Sequence, residues 1–230
     1  MRTRRADLSL ARLARFRARA YALLASTFLY PSAERFARLR AIAAELRADG
    51  AEVAALAVYP SWAAFLAALA DVPGPEAAER EYIRLFLVET TEGLALPCES
   101  AYRDGRPEAS GLIAAELERA YREGGLEPAP GLAEPPDHAA VQLEFMAFLS
   151  AEEERAWRAR DAAAAERLLE REHAFLDAHV ASWLPAFARR LAALGAGEPY
   201  RAAATAASAL AQHDRDLLRL VVSADRAVGG

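Results

Sequence analysis

Pro135 and Pro136 are followed at once by Asp137 and His138, and then by "AAVQLEFMAFLS", a stretch with almost nothing polar on it. A carboxylate beside an imidazole can hold a cation, orient a ligand or pass a proton. A second cluster lies upstream in "LPCESAYRDG", where Pro97, Glu99, Ser100 and Tyr102 occur without the periodicity that would bury them. Glu99, next to aromatic and apolar neighbours, has the chemistry to grip a guanidinium in a two-pronged fork, and anchoring of the loop to its own backbone is the plainer alternative. A third candidate is Glu170 with His173, a single Glu-x-x-His step to which His179 and His213 could add ligands. A di-metal bundle site needs two such steps and two further glutamates. His173 and His179 are six apart, which turns them about 240° around a helix, away from a common ion. These histidines read as solvated surface groups, and no metal is expected. Cys98 and Ser100 have no identifiable base, and no glycine-rich phosphate loop is present, so neither an enzyme nor a cofactor-binding chain is expected.

The elements that must position these residues are helical throughout. Helical spacing predicts an N-terminal helix over 7–30, with Leu13, Phe16, Ala20 and Leu24 on one face and arginines on the other. Further helices are expected over 32–49, stopped by Gly50; over 61–70; and from Pro75 through "EREYIRLFLV". A long irregular segment, 89–109, carries the Glu99 cluster and has the character of a binding loop. A helix capped by Ser110 runs to Gly124-Gly125, and a proline-rich loop, 125–136, leads into a central helix over 137–159. Asp137 at its start can cap the first turn, which accounts for Asp137 but not for His138. Helices over 161–179, 182–194 and 198–224 complete an all-α bundle of about nine to ten helices, in a single domain spanning 1–230.

Composition narrows the functional classes. The 230 residues are 54% hydrophobic and carry a net charge of −5, with no lysine, which gives no global case for nucleic acid. The single cysteine excludes an internal disulfide framework and fits a reducing, cytoplasmic setting. Arg4-Arg5 resembles an export signal, but Arg12, Arg15, Arg17 and Arg19 interrupt the apolar stretch such a signal needs. The uncharged run 54–70 is broken by Pro60 and falls short of the roughly 20 residues of a membrane span.

The pairing of "EYIRLF" and "LPCESAYRDG" with "EPPDHAAVQLEFMAFL", followed by "FLDAHVASWLPAF", resembles the TorD/DmsD/NarJ family of cytoplasmic chaperones for molybdenum enzymes. The likeness extends from about Tyr21 to Leu194. It implies a TorD-like all-helical fold. It also implies binding to the twin-arginine signal peptide, and often the body, of an apo catalytic subunit that awaits its molybdopterin cofactor. Carried over by residue, the peptide-binding region of the family falls on Pro136, Asp137 and His138 and on Pro97, Glu99, Ser100 and Tyr102. Members often have an aromatic residue after the loop proline, where this chain has Cys98. A permanent scaffold subunit of a redox complex is the alternative role.

Overall fold

The computed structural model of the protein describes residues 2–48, 54–89, 91, 93–103, 107–126 and 134–228. These fold into α1 (Arg2–Thr27), α2 (Ala33–Ala48), α3 (Tyr59–Ala70), α4 (Pro75–Tyr82), α5 (Pro107–Glu123), α6 (Ala139–Ala159), α7 (Ala162–Phe175), α8 (Ala181–Ala193) and α9 (Glu198–Val228). Among the described residues there is no strand, and the all-α bundle expected from the sequence is present. The expected stop at Gly50, parts of the 89–109 and 125–136 loops, and the side chains of Arg4 and Arg5 lie outside the described residues.

Several boundaries differ from the sequence reading for local reasons. Pro107 already opens α5, because a proline fits the first helical position, where no N–H is needed, so Ser110 is not the cap. The gap expected between 179 and 182 is no gap: α7 passes into α8 through a π turn, Leu176–Val180. A second π turn, Ile83–Leu87, extends α4, and Val88 N–H bonds the carbonyl of Ile83 at 2.9 Å. A π turn admits one extra residue and redirects the side chains and carbonyls around it.

The core is built around α6, whose face of Leu143, Phe145, Met146 and Leu149 is buried as its wide apolar arc requires. Its most extensive contact is with α1, and α9 packs across α3, α7 and α8. At the end of α5, Leu126 N–H reaches back to the Tyr121 carbonyl (2.9 Å), and Gly125 takes a left-handed φ of +87° that favours glycine. Gly124 is needed for a different reason: a Cβ there would lie 2.5 Å from the Phe145 ring. That ring is wedged edge-on between Tyr121 and Phe175 and has no room to yield. Gly124→Ala is expected to destabilise the fold by about 1–3 kcal/mol, read by chemical denaturation.

One arginine departs from the predicted pattern. Arg17, placed with the arginines of the outer face, is 1% exposed. Its guanidinium meets Asp214 at 2.7 Å and Glu153 at 2.6 Å, and it also bonds Glu172, so that one cation ties α1 to α6, α7 and α9. Tyr21 donates to Asp214 (2.9 Å) and Trp157 to Glu153 (2.8 Å). Burial lowers the Arg17 pKa, but the carboxylates of Asp214, Glu172 and Glu153 reverse this and hold it charged. Burial pushes the Glu172 carboxyl up to about 8, against the pull of Arg17. The helical periodicity of α1 allows Arg17 on the inner face, and only carboxylates distant in sequence make it tolerable there.

Candidate functional site

The two irregular segments singled out by the sequence meet in space and are joined backbone to backbone. Cys98 and His138 form an isolated antiparallel bridge, in which Glu99 N–H donates to the Asp137 carbonyl (2.9 Å) and Ala139 N–H to the Pro97 carbonyl (2.7 Å). Two turns supply the approach. After Pro135-Pro136, His138 N–H bonds the Pro135 carbonyl at 3.0 Å, and Tyr121 of α5 clamps the Pro136 carbonyl at 2.7 Å. On the other side, residues Glu99–Ala101 form a short 3-10 turn held by Tyr102 N–H on the Glu99 carbonyl at 2.9 Å.

This bridge corrects the expected capping. His138, not Asp137, is the N-cap of α6: its backbone is extended (φ −69°, ψ 140°) and its Nδ1 accepts from Ala140 N–H at 3.1 Å. The Asp137 carbonyl is taken by Glu99, and its carboxylate is turned across the bridge to accept from Ser100 N–H at 3.1 Å. The helix therefore starts two residues later than predicted. His138 is 3% exposed. Burial lowers its pKa more than Glu134 and Asp137 raise it, which keeps the ring neutral with its Nε2 proton toward Glu134, 3.7 Å away.

Glu99 is also not the open grip its neighbours suggested. It is fully buried, and it grips an arginine of its own chain, Arg103. Gln142 of α6 donates to its second oxygen (2.5 Å), and His179 Nδ1 approaches both oxygens at 3.1 and 3.2 Å. Burial would raise the Glu99 carboxyl, but the hydrogen bonds from His179, Arg103 and Gln142 outweigh it and hold the group ionised. An ionised carboxylate only accepts, so His179 Nδ1 carries the proton. His179 is accordingly no solvated surface histidine: the π turn aims it inward, at 6% exposure. The network ends at Trp183, whose indole N–H donates to Gln142 at 2.9 Å. Tyr102 stacks on Trp183 with ring centroids 5.6 Å apart and planes 19° apart.

Both π turns serve as docking points for the loop. The Leu85 carbonyl accepts from Ala95 N–H at 3.0 Å, and the Ala178 carbonyl from Arg103 at 3.1 Å. Arg190 of α8 adds a bond to the Leu94 carbonyl at 3.0 Å. The 93–103 segment is thus fixed in place; Leu96 on it, and Leu87 and Val88 at the end of the Ile83–Leu87 π turn, are all at least 45% exposed. Cys98 is half-buried, and its thiol is pushed up to about 12 by burial and by the charges of Asp137 and Glu134, so it stays protonated and unreactive near neutral pH.

All seven predicted residues therefore lie along one bridge, while Gln142, His179, Trp183 and Arg103 were missed as their partners. Of these, Gln142 left a trace in the sequence, as a polar residue inside the apolar central helix. Among the described residues no cluster of histidine, cysteine or acidic side chains is arranged to hold a metal ion. No described helix is long and apolar enough to cross a membrane.

The two polar loops of this helical protein are thus locked into one edge by the Cys98–His138 bridge. The sequence profile of the nitrate reductase delta subunit family matches residues 48–189, more than half of the chain, and the chain belongs to that family. It is 33% identical over 138 residues to the chaperone protein TorD of Vibrio cholerae. It is 36% identical over 125 residues to the selenate reductase assembly chaperone of Thauera selenatis, and over 123 residues to the chlorate reductase assembly chaperone of Ideonella dechloratans. These matches cover 60%, 51% and 52% of this chain, and 60%, 59% and 60% of the respective relatives. A proposed redox enzyme maturation protein of Archaeoglobus fulgidus overlays on 88% of this chain and 93% of its own, with 19% identity and a TM-score of 0.44. The family likeness read from the loop and helix motifs is borne out.

Proposed function

We propose that this chain is a cytoplasmic maturation chaperone that binds the apo catalytic subunit of a molybdenum oxidoreductase, through its twin-arginine signal peptide and its body, until the cofactor is in place. The observation that carries the reading is the Cys98–His138 bridge, which brings Pro97, Glu99, Ser100 and Tyr102 together with Pro136, Asp137 and His138. Three relatives are named as chaperones, two of them for the assembly of selenate and chlorate reductases.

The division of labour differs between the residues. Glu99, Asp137 and His138 are spent on internal bonds and position the edge, while Leu96, Leu87, Val88 and the partly open carboxylate of Glu134 face outward. Apolar side chains beside a carboxylate complement a peptide that presents arginines followed by an apolar stretch.

A labelled twin-arginine signal peptide of a molybdoenzyme catalytic subunit, with a Lys-Lys control, tests the reading. Micromolar or tighter binding, weaker for the control, is expected. The double variant Leu96→Ser, Glu134→Gln alters only outward-facing groups and leaves the internal bonds of Asp137 and His138 in place, so it should remain folded while losing about tenfold or more in affinity. Unchanged binding by the folded variant would remove the bridge from the recognition surface.

A further inference from the structure

A second concavity lies away from the bridge, where the end of α1 and the start of α2 meet α3, α4 and the first turn of α9. Its volume is about 350 Å³, at the lower end of ligand-site sizes. The walls include Phe36, Leu39, Leu69, Val72 and Ala77, closed on one side by Tyr200. Pro31, Pro73 and Pro199 stand among the lining residues. Prolines have no N–H to give and fixed φ angles, so this wall cannot add a peptide strand, and an occupant enters by its side chains.

The polar groups around it are already used. Thr27 donates to the Leu23 carbonyl (2.8 Å), Tyr200 to the Ala78 carbonyl (3.2 Å) and Gly197 N–H to Glu81 (2.6 Å). A nucleotide or a polar metabolite would meet few donors here, whereas an aliphatic or aromatic side chain needs none. The three charged residues that line the pocket, Asp71, Glu81 and Glu198, are all acidic. Arg84 neutralises Glu81, and Arg201 pairs with Glu198. Asp71 is exposed at the rim, and Arg40 beside it is bonded to the flanking carbonyls of Ala70 (3.1 Å) and Val72 (3.2 Å).

We propose that this pocket anchors apolar side chains of a basic, apolar segment of the client polypeptide, with an arginine or lysine of that segment set beside Asp71. The inference rests on the client-binding reading above and adds a second contact to it. Glu81 of the pocket and the exposed Leu87 at the end of the π turn are six residues apart on one continuous helical segment, roughly 9 Å of rise, so one peptide can reach both.

The probe is the twin-arginine peptide with its apolar stretch, added to methyl-labelled protein. Shifts concentrated on Leu39, Leu69 and Val72 are expected. Ala77→Phe, which fills the pocket, should weaken the peptide about tenfold or more, and Asp71→Asn severalfold, while both variants keep the wild-type helical signal. Peptide binding that leaves these methyls and both variants unaffected overturns the pocket and spares the chaperone reading. Absence of any peptide shift also overturns the pocket, and the chaperone reading is then decided separately by capture of the whole apo subunit.

Discussion

Arg17→Met is expected to cost about 3–5 kcal/mol, a large share of the roughly 5–15 kcal/mol that holds a domain folded. The arginine is the shared cation of Asp214, Glu153 and Glu172, and removing it leaves three buried acids facing one another without compensation. Replacing the acids as well as the cation should recover much of the loss, because an apolar cluster of the same shape carries no desolvation cost. A denaturant titration of the single variant, and of one in which Arg17, Glu153, Glu172 and Asp214 are all replaced by apolar residues, separates the two cases.

The same cluster sets a pH dependence. The Glu172 carboxyl titrates near 8 in the folded chain and in the ordinary carboxylate range, 4.5, when unfolded. The folded state therefore binds the extra proton, and its contribution to stability is complete below the unfolded value and is lost as pH rises through about 8. Tyr21, Glu153, Asp214 and Arg17 are the groups that face it. The denaturation midpoint should fall as pH rises from about 5 to about 8 in the wild type, and this fall should be blunted in Glu172→Gln.

Glu99→Ala carries the largest expected effect on the site, about 3 kcal/mol of stability and about tenfold or more in client affinity. Truncation leaves Gln142 and His179 as buried donors without their acceptor and releases Arg103 from its ion pair. Glu99→Gln retains an acceptor and should cost less. Amide exchange across 95–103 should quicken in the alanine variant, while α1 and α9 remain protected. A wild-type exchange pattern in Glu99→Ala would mean that the loop is held by its backbone bridge alone.

The sequence pattern conveyed the helices well, because each apolar stripe of Leu143 or Phe145 type reports directly on a buried face. The location of the site was legible too: the loss of periodicity at 97–102 and the Pro-Pro-Asp-His entry marked the two strands of one bridge. What those residues do there was not. Asp137 in a helix-capping position looks the same in sequence whether its carboxylate turns to the first turn or to Ser100, since the choice is made by a loop 37 residues away. Glu99 and His179 are 80 residues apart, and a π turn, which has no clear sequence signature, aims one at the other. Arg17 was misplaced for the same reason: periodicity assigns a charged residue outward unless its partners are known.

On the function proposed above, the chain holds a catalytic subunit only until its cofactor arrives. The direct measurement is calorimetric titration of the purified chain with a molybdoenzyme catalytic subunit of its source organism, prepared once without its molybdopterin cofactor and once loaded. Tight binding to the apo subunit and about tenfold or weaker binding to the loaded one is the predicted result. Equal affinity for both would make the chain a permanent scaffold, and no binding to either, from folded protein, would contradict the account.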